Sequence, residues 1–285
     1  MRFDYKTALL IILGIFVVFI VIFTMYIFLS DLVPDNLDDE DNIFDIDDFN
    51  QQVLREEVTQ ELKNFKMKKR IIIKEEDKFL IKRKEDFSPI SDYQRYVTPD
   101  NPVVKNYQTS NSLTTAQLAY SDAVQWTWVS DSTLHGESNP EKWLMPAEFI
   151  NDTPDETKYP DNPVDGMASD CESQAYTLVS ILEALGIQKS DVRVVVGEVN
   201  FYGETGGHAW VEIYENDEWF QLEATSGPYW DDEDQKLVNN NGFPYNYFKT
   251  HPYPVEEYWA FFNDIYYYNP EYNKRSPDLP SHWII

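Results

Sequence analysis

The chain has 285 residues, and 50 acidic residues against 23 basic ones give it a formal charge of −27. Phosphate recognition depends on lysine and arginine, so this balance excludes nucleic acid as a partner. A single cysteine excludes an intramolecular disulfide, and aromatic residues at 15% argue for a folded later region rather than disorder.

Residues 1–6 form a short tail carrying Arg2 and Lys6, and residues 7–29 are apolar and uncharged. As a helix that stretch is roughly 35 Å long, enough to cross a bilayer. A signal peptide would have a shorter apolar region ending at a small-residue cleavage site; this run ends in Tyr26-Ile27-Phe28-Leu29-Ser30-Asp31. A retained transmembrane helix is therefore expected. No lysine or arginine follows it until Arg55, so the positive-inside rule puts the N-terminus in the cytoplasm and the remainder outside a cell membrane crossed once. A lone thiol on that side calls for an explanation other than disulfide formation.

Residues 30–111 read as an acidic and charged stalk and linker. The text around Arg70-Ile71-Ile72-Ile73 is ambiguous between helix and strand, and Pro89, Pro99 and Pro102 mark the entry to the domain. The domain is expected over residues 112–285. It opens on a helix from Leu113 to Val129 with Ser112 as N-cap, followed by a loop punctuated by Pro140, Pro146, Pro154, Pro160 and Pro163. A helix is expected from Cys171 to Leu185, with Ala175, Leu178, Val179, Leu182 and Leu185 as its buried stripe. Gly186 is its stop, and Ser169 with Glu172 forms a capping box. Val192–Val196 reads as a strand, Phe201–Gly207 as a glycine-rich turn, His208–Tyr214 and Trp219–Ala224 as a hairpin turning at Glu215–Glu218. A helix followed by antiparallel strands implies an α+β fold. The aromatic segments Tyr258–Phe262 and Tyr266–Tyr268 are expected to pack on the core or roof its cleft.

A thiol, an imidazole and a carboxylate in the order Cys171, His208, Glu223 are the parts of a nucleophilic acyl-transfer site. An even-length hairpin loop sets Tyr214 opposite Trp219, which puts His208, Trp210 and Glu223 on one face and Glu223 diagonal to His208. At the start of a helix the thiol meets the positive end of the dipole, which lowers its pKa, and the backbone N–H groups there can stabilise an oxyanion. Zinc sites usually bring paired cysteines or histidines at short spacing, and these are missing. The runs Asp38–Asp41 and Asp231–Asp234 lack the alternating ligands of a calcium loop. Neither metal nor cofactor is therefore expected. His135, His251 and His282 have no motif around them and are expected at the surface or in packing.

Three segments resemble the transglutaminase-like superfamily and its papain-like core, in the compact microbial branch. Asp170-Cys171-Glu172-x-x-Ala175 looks like its cysteine helix, Gly207-His208-Ala209-Trp210-Val211-Glu212 like its histidine strand, and Leu222-Glu223-Ala224-Thr225 stands at its aspartate-proline-threonine strand. Trp143-Leu144-Met145-Pro146-Ala147-Glu148 is similar to a segment that precedes the cysteine in archaeal and bacterial members. The resemblance covers roughly residues 112–226. It implies a cysteine protease, amidase or acyltransferase in which Cys171 attacks a peptide or protein amide, His208 shuttles the proton and Glu223 orients the ring. Two positions depart from the pattern: Glu223 replaces an aspartate, and Ser169 replaces the glycine before Asp-Cys. Trp128 and Trp143 are candidates for a second oxyanion donor, and Trp210 for a core or site-lining aromatic. The alternative is an inactive domain of the same fold that binds a peptide or envelope polymer. The sequence carries no signal for oligomeric state.

Overall fold

The computed structural model describes residues 91–136, 141–201 and 203–285. The expected span at 7–29 and the stalk up to residue 90 lie outside the described residues. Among the described residues no helix is long and apolar enough to cross a membrane.

The centre of the domain is helix α6, Cys171–Ala184, preceded in chain order by α1 (Ser91–Gln94), α2 (Pro102–Ser110), α3 (Ala116–Ala123), α4 (Asp131–His135) and α5 (Pro146–Asn151). Its residues from Glu172 to Glu183 are all buried. Such a helix has no solvent face and must be surrounded; α2, α3 and α5 pack against it, as do two strands of the main sheet. It ends where Gly186 takes φ 92°. The Ile187 N–H reaches the Leu182 carbonyl at 3.1 Å and the Gly186 N–H reaches that of Glu183 at 2.9 Å, the paired bonds of a Schellman stop.

The main sheet is antiparallel with strand order β10-β9-β8-β3-β4-β5. Here β3 is Val192–Asn200, β4 Thr205–Glu215, β5 Glu218–Leu222, β8 Val255–Phe262, β9 Tyr267–Asn269 and β10 Lys274–Arg275. Val194, Val196, Ala209, Val211 and Ile213 join the core around α6. Because side chains alternate along a strand, Arg193, His208, Trp210 and Glu212 occupy the other face. There the Arg193 guanidinium bonds Glu212 at 2.7 Å and the Trp283 carbonyl at 2.9 Å, and lies 3.9 Å from the Trp219 ring centroid. A smaller sheet has the order β2-β1-β6-β7, in which β1 (Thr127–Trp128) runs parallel to both β2 (Ala168–Ser169) and β6 (Tyr229–Asp231), and β7 is Lys236–Val238.

Several elements differ from expectation. The helix expected from Leu113 to Val129 is confined to α3, because Thr115 rather than Ser112 caps it, accepting from the Leu118 N–H at 3.2 Å. Ser112 has a left-handed φ of 55°, and Thr127 and Trp128 are strand. The capping box of Ser169 and Glu172 does not form: Ser169 lies in β2, and the N-cap is Asp170 without a side-chain bond. Residues 91–110, placed in the linker, carry Tyr93, Val97 and Val104 into the core. Of the two places expected for the aromatic segment Tyr258–Phe262, it takes the core, as a strand inside the main sheet with Trp259, Ala260 and Phe262 buried, and not the roof.

Candidate active site

The hairpin of β4 and β5 sets the site. Asn216 and Asp217 take φ 53° and 63°, a two-residue turn of the primed kind whose twist suits a hairpin, and Tyr214 pairs with Trp219 as the even loop requires. The pairing stops at Val211 with Leu222. Beyond it the chain leaves the sheet in a 3-10 turn, Ala224–Ser226, so the part of β4 carrying His208 and Ala209 has no ladder partner on that side. Helix α6 packs on β4, and the Ala209 backbone N–H acts on the Cys171 thiol to lower its pKa.

Glu223 caps the 3-10 turn and is buried. One oxygen, Oε1, accepts from the Thr225 N–H at 3.1 Å and its hydroxyl at 2.5 Å. The other, Oε2, lies 2.6 Å from His208 Nε2 and 3.0 Å from His251 Nε2. Burial pushes the carboxyl up, but its electrostatic attraction and hydrogen bonds to His208, and then to His251, outweigh it and hold Glu223 well below the usual carboxylate range. A carboxylate only accepts, so the His208 nitrogen beside it, Nε2, is the donor of this bond.

The thiol itself departs from the helix-dipole expectation. Burial, then the charges of Glu172 and Asp170, push Cys171 well above an ordinary thiol, and the Ala209 N–H offsets only part of this. Its S–H donates to Glu172 Oε2 at 3.2 Å. Further carboxylates stand behind these two. Asp170 is raised by burial and by Asp131, Glu172 and Glu141. Glu141 is pushed up to about 10 by burial and then by Glu172, with the Trp143 indole N–H working the other way. The effect of the α6 dipole on the thiol is thus opposed by burial and by the neighbouring carboxylates.

Trp143 donates its indole N–H to Glu141 at 2.5 Å and packs edge-on against Tyr96 at 5.3 Å. Trp210 donates to Gln221 at 2.7 Å, with its ring 4.3 Å from that of His251 and 6.0 Å from that of His208. Both indoles are therefore committed away from an oxyanion, and Trp210 lines the site beneath the two imidazoles. Trp128 pairs with Ser169, two residues before Cys171. Gln174 ties α6 to the small sheet through the carbonyls of Thr127 and Ser169 at 3.1 and 3.0 Å.

His251, expected at the surface or in packing, is a buried member of the site. Its signal in the sequence is a proline beside it and another two residues later, in His251-Pro252-Tyr253-Pro254: these fix the backbone around the ring. His208, Glu223 and His251 offer donor atoms within 4.8 Å of one another, a set that zinc accepts. Ligands at zinc distance around a tetrahedral ion stand ~3.3 Å apart. The contacts of 2.6 and 3.0 Å to Oε2 are closer and read as hydrogen bonds. Asp131, Glu141, Asp170 and Glu172 offer only oxygen, the donor type of hard cations.

Residues 141–224 match the sequence model of the transglutaminase-like superfamily, and the segment contains Cys171, His208 and Glu223. No curated protein sequence matches the chain. Among solved structures, calcium-bound LapG of Legionella pneumophila is similar at TM-score 0.35 and 14% identity, over 72% of this chain and 94% of that one. EGTA-treated LapG is similar at TM-score 0.36 and 13% identity, over 71% and 90%. A candidate cysteine protease from Cytophaga hutchinsonii is similar at TM-score 0.33 and 16% identity, over 54% and 50%. The described domain contains a transglutaminase-like core.

Proposed function

We propose that this chain is a cysteine enzyme that opens an amide bond of a peptide or protein through a thioester at Cys171. The observation that carries it is the 2.6 Å bond from His208 Nε2 to a buried, ionised Glu223, with α6, which opens on Cys171, packed on the strand that bears His208. The thiol proton passes to His208 Nδ1 as sulfur attacks the carbonyl, and backbone N–H groups at the start of α6 face the developing oxyanion. His208 then gives that proton to the leaving amine, which departs as the thioester forms. Water completes an amidase or protease cycle; a second amine completes an acyl transfer. We place the domain on the outer side of a membrane crossed by residues 7–29, on the strength of the apolar run and the flanking charges.

A second reading has its own support. A thiol raised by burial and by Glu172 and Asp170 is a poor nucleophile at rest, which favours a domain that holds a peptide or envelope polymer in the same cleft without cleaving it. The pH dependence of iodoacetamide alkylation at Cys171, in the full-length protein and in His208→Ala, separates the two. Alkylation that persists well below pH 8 and is lost in the variant supports the enzyme. A rate that rises only near or above an ordinary thiol pKa of about 8.5, unchanged in the variant, overturns it in favour of binding.

A further inference from the structure

We propose that His251 is a positioning residue for the Cys171–His208 couple: its Nε2–H fixes Glu223 Oε2, and Glu223 in turn fixes His208. This rests on the enzyme reading above and adds a fourth member to the site.

The geometry leaves little freedom. Glu223 is ionised and accepts only, so the nitrogen 3.0 Å from its Oε2 must carry a proton. His251 is fully enclosed, and burial pushes its pKa down against the pull of Glu223, so the ring is neutral and Nδ1 holds a lone pair. That lone pair meets the Tyr253 backbone N–H at 3.2 Å. This contact suits the tautomer that donates to Glu223. The Tyr253 carbonyl lies 3.0 Å from the same nitrogen and would accept a proton there from the Nδ1–H tautomer or from the cation. The ionisable groups facing the ring are Glu223 beyond β5, His208 on β4 and Tyr253 in its own segment; Trp210 packs against it at 4.3 Å.

A physical need for this clamp follows from the third residue being glutamate. Its side chain has one more rotatable bond than aspartate, and each free torsion costs precision at His208. Thr225 holds Oε1 through two bonds, and His251 holds Oε2 beside His208. With both oxygens pinned, the longer arm is as constrained as a shorter one would be.

The test uses the full-length protein with His251→Phe, which keeps a ring but no donor, and His251→Gln, whose amide N–H can reach Glu223. Retention of the fold is checked by melting. Alkylation of Cys171 by iodoacetamide is followed from pH 5 to 9, and the imidazole nitrogens are read by 15N–1H correlation spectra. The wild-type spectrum should show His251 as the neutral Nε2–H tautomer; an Nδ1–H tautomer overturns the proposal without any variant. In His251→Phe the single Nε2–H signal of His208 should be lost. Alkylation at pH 6.5 should fall roughly tenfold, the worth of one hydrogen bond to a charged group, and His251→Gln should restore most of it. A folded His251→Phe with the wild-type His208 signal and pH profile assigns His251 to packing and overturns the proposal. If wild-type alkylation is that of an ordinary thiol, it is the enzyme reading that fails, and the His208 signal alone then decides whether His251 positions the ring.

Discussion

Glu223 accepts from Thr225, His208 and His251 while completely shielded from water, so its charge is the fixed point of the site. Glu223→Gln keeps the shape and removes the charge. Amide turnover is expected to fall by about 10²–10⁴-fold, the range for an orienting carboxylate, while the melting curve stays cooperative. The opposite sign is expected at Glu172. Its charge and the bond from the S–H favour the thiol, so Glu172→Gln should move the alkylation profile of Cys171 to lower pH. A profile that stays put would show that burial alone sets the thiol. The meeting of His208 with Glu223 was legible in the chain because each stands in a short motif and the hairpin register fixes their spacing. His251 was not, because its partner is 28 residues away and they meet only after the chain has folded back. Nor was the raised thiol: its largest cause is burial, which only the folded domain supplies, and the flanking Asp170 and Glu172 come second.

The elements divide along the same line. The hairpin was readable to its register, because a two-residue turn leaves one pairing of Tyr214 with Trp219. The stop of α6 was readable because Gly186 tolerates a positive φ. The N-terminal caps were not: Ser112 and Thr115 are both capping residues, and packing chose the second. Gly197 shows a further constraint of this kind. It pairs with His208 on one side and Tyr258 on the other, at a bulge in the β3–β8 ladder. A Cβ there would lie 2.4 Å from the Glu257 carbonyl oxygen and 3.3 Å from the Trp210 ring. Gly197→Ala is expected to destabilise by about 1–3 kcal/mol, the usual cost of overpacking, measured by urea unfolding. Because β8 must shift away from the strand that faces His208, activity should fall along with stability.

At the scale of the whole domain, acidity follows two different patterns. Most acidic side chains among the described residues are at least partly exposed, but Glu141 is enclosed with other carboxylates and holds its proton. For Glu141 the folded value of about 10 lies above its ordinary value of 4.5. The folded chain therefore binds a proton that the unfolded chain has released. Stability is greatest below the ordinary value and declines as pH rises toward the folded one. Glu141→Gln should melt like wild type near pH 4 and higher than wild type at pH 8, by about 2–4 °C for each kcal/mol relieved. Equal melting temperatures at both pH values would remove Glu141 as a source of the pH dependence. The α+β class and the helix-then-hairpin order were readable across the domain. The membership of residues 91–110 in the core was not, because prolines near Pro102 suggest a linker; nor was the place of Tyr258–Phe262 as a strand inside the main sheet.

The protonated state of Cys171 has a consequence for oxidative damage. Peroxide attacks the thiolate, and the first product, a sulfenic acid, is rescued when another thiol condenses with it. This chain has no second cysteine to supply that thiol, so each oxidation would wait on an outside reductant or proceed to irreversible acids. Burial and the adjacent carboxylates, by keeping sulfur in its less reactive form between encounters with substrate, act as the chain's own antioxidant protection.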